Sequence, residues 1–157
     1  MNRNLLLLAL LLIIPMTSIA QVWATAVARN NAEDTAIVYR YIKEFQKEFT
    51  KSVQPDRVIV VWRYQGNKGM PSVEERTRMD ELEDALAPMQ EDGFSTLALV
   101  STGNNLKEWT YYARNEDEFF QRLNEALHSK QLFPIEIHAA PDPSWTTYER
   151  FATSVKQ

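Results

Sequence analysis

The chain has 157 residues, with 21 Asp and Glu against 17 Lys and Arg, and a formal net charge of −4. This length fits one domain after a short targeting segment. The acidic balance argues against nucleic acid or an anionic membrane surface as the main partner, because both attract basic proteins. The absence of cysteine excludes disulfides and the lipidated cysteine of a lipoprotein.

The N-terminus has the three parts of an export signal. Arg3 gives a positive start, Leu5–Ile14 is an unbroken apolar run, and Ser18-Ile19-Ala20 fits the small-x-small cleavage pattern. We therefore expect residues 1–20 to be a signal peptide that is cut after Ala20, and the protein to be exported to the periplasm or the extracellular space. A second cleavage pattern, Ala24-Thr25-Ala26, follows shortly after.

An uncleaved membrane anchor is the competing interpretation of this end. The apolar run could extend through Val22 and Trp23 to Ala28 and just span a bilayer, which needs about 20 residues. Polar residues from Thr17 onward weaken that second half, so we predict no membrane attachment after cleavage. Residues 21–34 are small and polar, and we interpret them as a linker before a single domain at residues 35–155.

The segment Thr35–Lys43 opens this domain and allows two interpretations. Its density of β-branched and aromatic residues favours a strand. A helix competes, because Ile37, Tyr41 and Phe45 recur every four residues. We predict the strand, followed by a short helical turn up to Val53.

The run Arg57–Tyr64 is apolar on both faces if it is a strand, as expected of a central strand that is covered on both sides. Ser72 and Glu75 form a capping box that predicts the start of a helix, and Pro88 predicts its end near Leu86. After this helix we predict two strands joined at Gly103-Asn104-Asn105, and then a helix that begins after the capping box of Asn115 and Glu118. A strand is predicted after Pro134, and a last helix is predicted to begin at Asp142-Pro143.

From Arg57 onward the predicted order is strand, helix, strand, strand, helix, strand, helix. The first six elements match the split β-α-β, or ferredoxin-like, pattern, in which two helices cover one face of an antiparallel sheet. We therefore predict an α+β domain of ferredoxin-like fold with an extra N-terminal strand and a C-terminal helix. We expect that last helix, with Trp145 and Tyr148 on one side, to cover Trp62 and Tyr64 on the other face of the sheet.

Six short motifs, in this order, resemble a conserved series in domain-of-unknown-function family 695. They are Val60 with Trp62 and Tyr64, Gly69-Met70-Pro71, Leu82-Glu83-Asp84-Ala85-Leu86, Glu108-Trp109-Thr110-Tyr111-Tyr112-Ala113, Pro134-Ile135-Glu136-Ile137, and Asp142-Pro143-Ser144-Trp145-Thr146-Thr147-Tyr148. Together they cover the chain from about Thr35 to Phe151. The resemblance implies an α+β domain with a strand near Thr35, and it implies no activity, cofactor or catalytic residue.

Aromatic side chains on the predicted sheet are the most suggestive candidates for a binding site. Trp62 and Tyr64 share one face of a strand, and we add Tyr112 and His138 on later strands as predicted ligand contacts. Aromatic residues stack bases in RNA-binding modules of this topology, but export and acidity argue against nucleic acid. The two histidines, His128 and His138, lack the spacing of metal ligands, so we predict no metal and no cofactor.

The sequence does not identify a ligand or an activity. We predict an exported, non-enzymatic domain that binds an envelope protein or a small ligand. The alternative is an exported hydrolase or transferase that uses Glu136, His138 and Asp142, which would require a carboxylate within hydrogen-bond reach of His138. Asp142 is also explained as a helix N-cap. Glu83-Asp84, about 100° apart on a helix, is interpreted as a solvated salt-bridging pair.

Overall fold

The computed structural model of the protein describes residues 21–155, which form one six-stranded antiparallel sheet and three α-helices. In chain order the elements are β1 (Val22–Asn30), β2 (Thr35–Glu44), β3 (Asp56–Arg63), α1 (Val73–Leu86), β4 (Ser95–Gly103), β5 (Leu106–Ala113), α2 (Glu116–Leu127), β6 (Ile135–Pro141) and α3 (Thr146–Ser154). Short 3-10 helices lie at Lys51–Val53 and Ala87–Gln90. The predicted α+β class is confirmed.

The predicted signal peptide, residues 1–20 with its cleavage site after Ala20, lies outside the described residues. Within residues 21–155, each helix is too short or too polar to cross a bilayer.

The strands are arranged in the order β1-β2-β4-β5-β3-β6, and each neighbouring pair is antiparallel. β3 lies between β5 and β6, so the interior position predicted for Arg57–Tyr64 is confirmed. The strand interpretation of Thr35–Lys43 is confirmed as well, because β2 pairs with both β1 and β4. β1 and β6 form the two edges of the sheet.

The interpretation of residues 21–34 as a linker is wrong, because most of this segment is β1. Nine residues, Val22–Asn30, pair with β2, with one register shift between Val22 and Trp23, and Trp23 packs against the main core. The small residues at every second position, Ala24, Ala26 and Ala28, hide the alternation of an ordinary strand. The segment therefore forms a strand because it pairs with the hydrogen-bonding edge of β2, although its own sequence favours a strand only weakly.

The first face of the sheet carries the main core and is covered by α1 and α2. The forward half of each predicted capping box forms: the Ser72 hydroxyl accepts from the Glu75 N–H at 3.1 Å, and the Asn115 side chain accepts from the Glu118 N–H at 2.9 Å. Among the hydrogen bonds of residues 21–155, the return bonds from the two cap N–H groups to Glu75 and Glu118 do not occur, and Glu118 pairs with Arg122 instead. α1 ends at Leu86, as predicted. The largest fully buried side chains of this core are Trp62, Trp109, Tyr111, Phe119, Met79, Leu82 and Leu86.

The second face of the sheet is where α3 packs. The Trp145 ring stacks on Tyr112 with 3.9 Å between ring centroids, and Trp145 is fully buried. The prediction that the terminal helix belongs to the core is confirmed. The expectation that it covers Trp62 and Tyr64 is wrong, because both lie in the core of the first face. Their alternation along β3 turns them towards α1 and α2.

The start of α3 also differs from the sequence prediction. The helix begins at Thr146, because Trp145 adopts a left-handed conformation with φ 53° and ψ 35° that interrupts the helix before it. Pro143 therefore lies in the preceding turn. Asp142 caps the helix across this turn, since its carboxylate accepts from the N–H groups of Thr146 at 2.7 Å and Thr147 at 3.1 Å.

Candidate functional site

The four ligand contacts predicted from the sequence do not form one site. Trp62 and Tyr64 are buried beneath the helices of the first face, Tyr112 is buried beneath α3, and His138 is exposed on the edge strand β6. The Tyr64 hydroxyl donates to the Gly69 carbonyl at 2.8 Å, and burial raises the pKa of this hydroxyl to about 12. Tyr64 thereby fixes the loop before α1.

That loop also explains why a glycine stands at position 69. Gly69 has φ +76°, and a Cβ there would lie 2.8 Å from the backbone nitrogen of Asn104. The loop packs against the turn of the β4–β5 hairpin, where Asn104 and Asn105 both have positive φ, as a two-residue hairpin turn requires. This part of the family motif is accounted for by the fold.

Glu136, His138 and Asp142, the three residues of the enzymatic alternative, also do not form one site, because Asp142 has different partners from the other two. His138 Nε2 lies 3.7 Å from Glu136 Oε2 on the exposed edge, and Glu136 also pairs with Arg63 at 3.1 Å. Asp142 instead caps α3 and accepts from the Tyr112 hydroxyl at 2.9 Å. Glu136 and His138 thus form a pair that is more than half exposed, and Asp142 is committed to the helix cap.

The ionisation of Asp142 agrees with this capping role. Burial acts to raise its pKa, but the N–H groups of Thr147 and Thr146 and the Tyr112 hydroxyl outweigh burial and hold the pKa below its usual 3.8. The charged form is the one that the helix end stabilises.

A small cavity between α1 and the outer half of the sheet is a candidate ligand site. We call it the Lys107 pocket. Its volume is about 210 Å³. Strands β2, β4 and β5 form its floor and α1 forms one wall. Its lining residues are Val38, Arg40, Asp80, Glu83, Val100, Thr102 and Lys107.

Lys107 is the unusual residue of this pocket, because only 8% of it is exposed. It lies between Thr102 of β4 and Trp62 of β3 in the register of the sheet. Burial lowers the pKa of its ammonium group below the usual 10.5, although the carboxylates of Glu83 and Asp80 act to raise it. Among the described residues, the single carboxylate within 4 Å of Lys107 Nζ is that of Asp80, at 3.8 Å.

The other charges of the pocket are held more tightly. Glu83 accepts from the indole N–H of Trp109 at 2.9 Å through one oxygen and forms an ion pair with Arg40 through the other. The Arg40 guanidinium lies 5.2 Å from the centroid of the Trp23 ring, and Lys107 Nζ lies 4.8 Å from that of Trp109. Aromatic faces therefore stabilise both cations.

The pocket combines two cations, two carboxylates and a hydroxyl with apolar walls. Because both oxygens of Glu83 already have partners and Asp80 is mostly exposed, the groups left for a ligand are suited to a small oxyanion. Arg40 and Lys107 supply positive donors, Thr102 supplies a hydroxyl, and Val38 and Val100 supply apolar contact. It is unsuited to a metal ion, and no group of three or more acidic or histidine side chains that could hold one occurs among residues 21–155.

This pocket was not predicted from the sequence, although the sequence contains one signal of it. Lys107, Trp109 and Tyr111 occupy alternate positions of β5 and so face the core together. A lysine in such a position is rarely buried unless it has a partner. Glu83, interpreted as half of a solvated pair, is indeed in an ion pair, but its second oxygen binds a buried tryptophan.

Comparisons with known proteins give one finding on family. Searches of curated proteins and of solved structures gave no match. Residues 21–152 match the family described as "Family of unknown function (DUF695)". The resemblance seen in the six motifs is therefore confirmed. The match covers all six strands, α1 and α2, and most of α3. The chain belongs to this family, whose function is unknown.

Proposed function

We propose that the protein is an exported, non-enzymatic binding domain that holds a small oxyanion, a carboxylate or a phosphate group, in the Lys107 pocket. The observation that carries this proposal is Lys107, a residue only 8% exposed, whose ammonium group has its closest carboxylate 3.8 Å away. Burial removes much of the solvation of this cation, and the Asp80 carboxylate at 3.8 Å and the Trp109 ring replace only part of it. An anionic ligand would supply the missing hydrogen bonds.

The arrangement of the other groups supports an anion over a cation. Glu83 is already occupied by Arg40 and by the Trp109 indole, and the Asp80 side chain is 72% exposed to solvent. The Arg40 side chain is 45% exposed and has five donors, so it can bind a ligand oxygen while it remains paired with Glu83. Lys107 and Arg40 thus offer free donors, whereas Glu83 offers few free acceptors.

The size of the cavity limits the ligand. At about 210 Å³ the cavity is smaller than the roughly 300–1,000 Å³ of sites for drug-sized molecules. It would hold about seven waters at roughly 30 Å³ each. A metabolite of a few non-hydrogen atoms, or the anionic end of a larger one, fits this volume.

Export remains part of the proposal and has support from two sides. The family match begins at residue 21, directly after the proposed cleavage site at Ala20. Cleavage there leaves β1 whole, whereas cleavage after Ala26 would remove five of its nine residues, including Trp23, which packs on the core. The intact β1 supports cleavage at the first site.

The ferredoxin-like arrangement is proposed for the unit from β3 to β6. The order β4-β5-β3-β6, with α1 between β3 and β4 and α2 between β5 and β6, supports it. The hairpin of β1 and β2 would then extend this sheet beyond β4. The Lys107 pocket would lie where the added hairpin meets the unit, a position consistent with the preference of ligand sites for junctions.

Calorimetric titration of the processed protein with acetate and with inorganic phosphate tests the proposal. We expect saturable binding of at least one of them by the wild type. We expect a loss of affinity of about tenfold or more in Lys107→Met, because a charge-assisted hydrogen bond contributes roughly 1.5–3 kcal/mol. Lys47→Met, at an exposed position outside the pocket, is the matched control. Equal affinity in all three proteins, or binding of neither anion, would reject the proposal.

A further inference from the structure

The outer edge of β1 is an unusually open strand edge. β1 pairs with β2 on one side, and no strand within residues 21–155 pairs with its other side. It runs for nine residues without proline or lysine, and its one charged residue, Arg29, is near its end. Its one register shift against β2 lies at its start, between Val22 and Trp23. Thr25 and Val27 are exposed on it, Val27 by 49%. Exposed edges normally carry charges, prolines or bulges that prevent pairing.

The opposite edge, β6, shows the usual protection. Glu136 and His138 are exposed along it, and Pro141 at its end has no N–H to donate. If two copies of β6 paired about its centre, their His138 side chains would lie opposite each other. The contrast between the two edges indicates that β1 is kept open for a partner.

The sequence of β1 is compatible with pairing to itself. Antiparallel pairing about Ala26 sets Ala24 opposite Ala28 and Thr25 opposite Val27. It also sets Trp23 of one copy opposite Arg29 of the other, so each arginine meets an aromatic side chain. The two arginines lie about 20 Å apart at 3.4 Å per residue, beyond the ~8 Å over which charges act at physiological salt.

We infer that β1 is the interface of a symmetric dimer, in which β1 of two copies pairs antiparallel about Ala26 and the two sheets join into one of twelve strands. The inference is independent of the Lys107 pocket. Each face continues across the interface, because a two-fold axis perpendicular to the sheet brings like faces together. Trp23, Thr25, Val27 and Arg29 then form a continuous layer on the side of α1.

Sedimentation of the processed full-length product over a range of concentrations tests this inference. The wild type should reach twice the mass of the chain. Thr25→Lys combined with Val27→Lys should remain monomeric, because it sets lysines opposite each other at both cross-strand pairs. Thr25→Glu combined with Val27→Lys should restore the dimer, because it sets opposite charges there. Both positions are exposed, so an unchanged far-ultraviolet circular dichroism spectrum would show that folding is intact, whereas the melting temperature should fall with loss of the dimer.

His138→Lys, on the protected edge, is the matched control and should leave the mass doubled. A wild type that stays monomeric at every concentration would overturn the inference, and β1 would then be open to a strand of a different protein. A dimer that survives Thr25→Lys with Val27→Lys would also overturn it, since its interface would lie elsewhere.

Discussion

Trp145 joins α3 to the rest of the molecule, and its replacement is the most informative test of the fold. The ring is fully buried, stacks on Tyr112, and makes edge contacts with Phe45 and Phe49 at centroid distances of 5.6 and 5.5 Å. Its indole N–H also donates to the carbonyl of Gln54 at 2.9 Å. Trp145 therefore contributes both packing and a hydrogen bond that no other aromatic side chain would reproduce.

The expected magnitude follows from these contacts. Trp145→Ala should lower the free energy of unfolding by about 3–5 kcal/mol through the lost packing and the cavity. The variant would also leave the Gln54 carbonyl without the indole donor. Because Gln54 is only 1% exposed, this loss should add roughly 1 kcal/mol to the destabilisation. The sum is a large part of the roughly 5–15 kcal/mol typical of a domain. Trp145→Phe keeps a ring and should cost about 2 kcal/mol.

The backbone of Trp145 provides a sharper comparison. At φ 53° a residue with a Cβ is strained by roughly 1–2 kcal/mol, and glycine is not. Trp145→Gly should therefore be less destabilising than Trp145→Ala by about 1 kcal/mol, the reverse of the usual order. Urea unfolding of the three variants measures these values. A loss below about 1 kcal/mol for Trp145→Ala, or a glycine variant less stable than the alanine variant, would refute the reasoning.

Three other outcomes are expected. Lys107→Met should leave the free energy of unfolding unchanged or raise it by ~1 kcal/mol. Because the folded-state pKa of Lys107 is lowered, deprotonation of this group should make the wild type more stable as pH rises towards 10.5. Urea midpoints measured across that range should show this increase in the wild type and not in Lys107→Met. Asp142→Ala should cost about 3 kcal/mol and Asp142→Asn about 1 kcal/mol, since the amide cannot accept from both capped N–H groups. The folded-state pKa of Asp142 is lowered, so the stabilisation that its charge gives the folded protein should be present above pH 3.8 and be lost as pH falls below that value. Urea unfolding at acid pH would detect this loss. A difference in unfolding free energy between the wild type and Asp142→Asn that stays constant with pH would contradict it. Intact-mass measurement of the exported product should find Gln21 as its first residue, and full-length protein in the cytosol would contradict export.

The elements with strong local signals could be predicted from the sequence. Ser72 and Asn115 mark helix starts because their side chains satisfy free N–H groups within the same turn. Pro88 ends α1 because it has no N–H to donate. These effects are local, so neighbouring residues determine them.

The missed features depend on distant partners. β1 forms because β2 offers it a hydrogen-bonding edge, which its alanine-rich sequence does not reveal. The sequence places Trp62 and Tyr64 on one face of β3, but the helices that cover this face depend on how α1, α2 and α3 pack on the sheet. The Lys107 pocket requires α1 to bring Asp80 and Glu83 over β5, and this arrangement spans elements far apart in the chain.

The central claim, that the Lys107 pocket binds a small oxyanion, is tested most directly by the indole N–H of Trp109. This group donates to Glu83 at 2.9 Å and lies under Lys107, so its NMR signal reports on the pocket from inside the protein. Titration of the processed protein with phosphate or acetate should shift this signal saturably, more weakly as pH rises through the Lys107 pKa, and not at all in Lys107→Met. A signal that stays fixed in the wild type, or that shifts equally in Lys107→Met, would contradict the account.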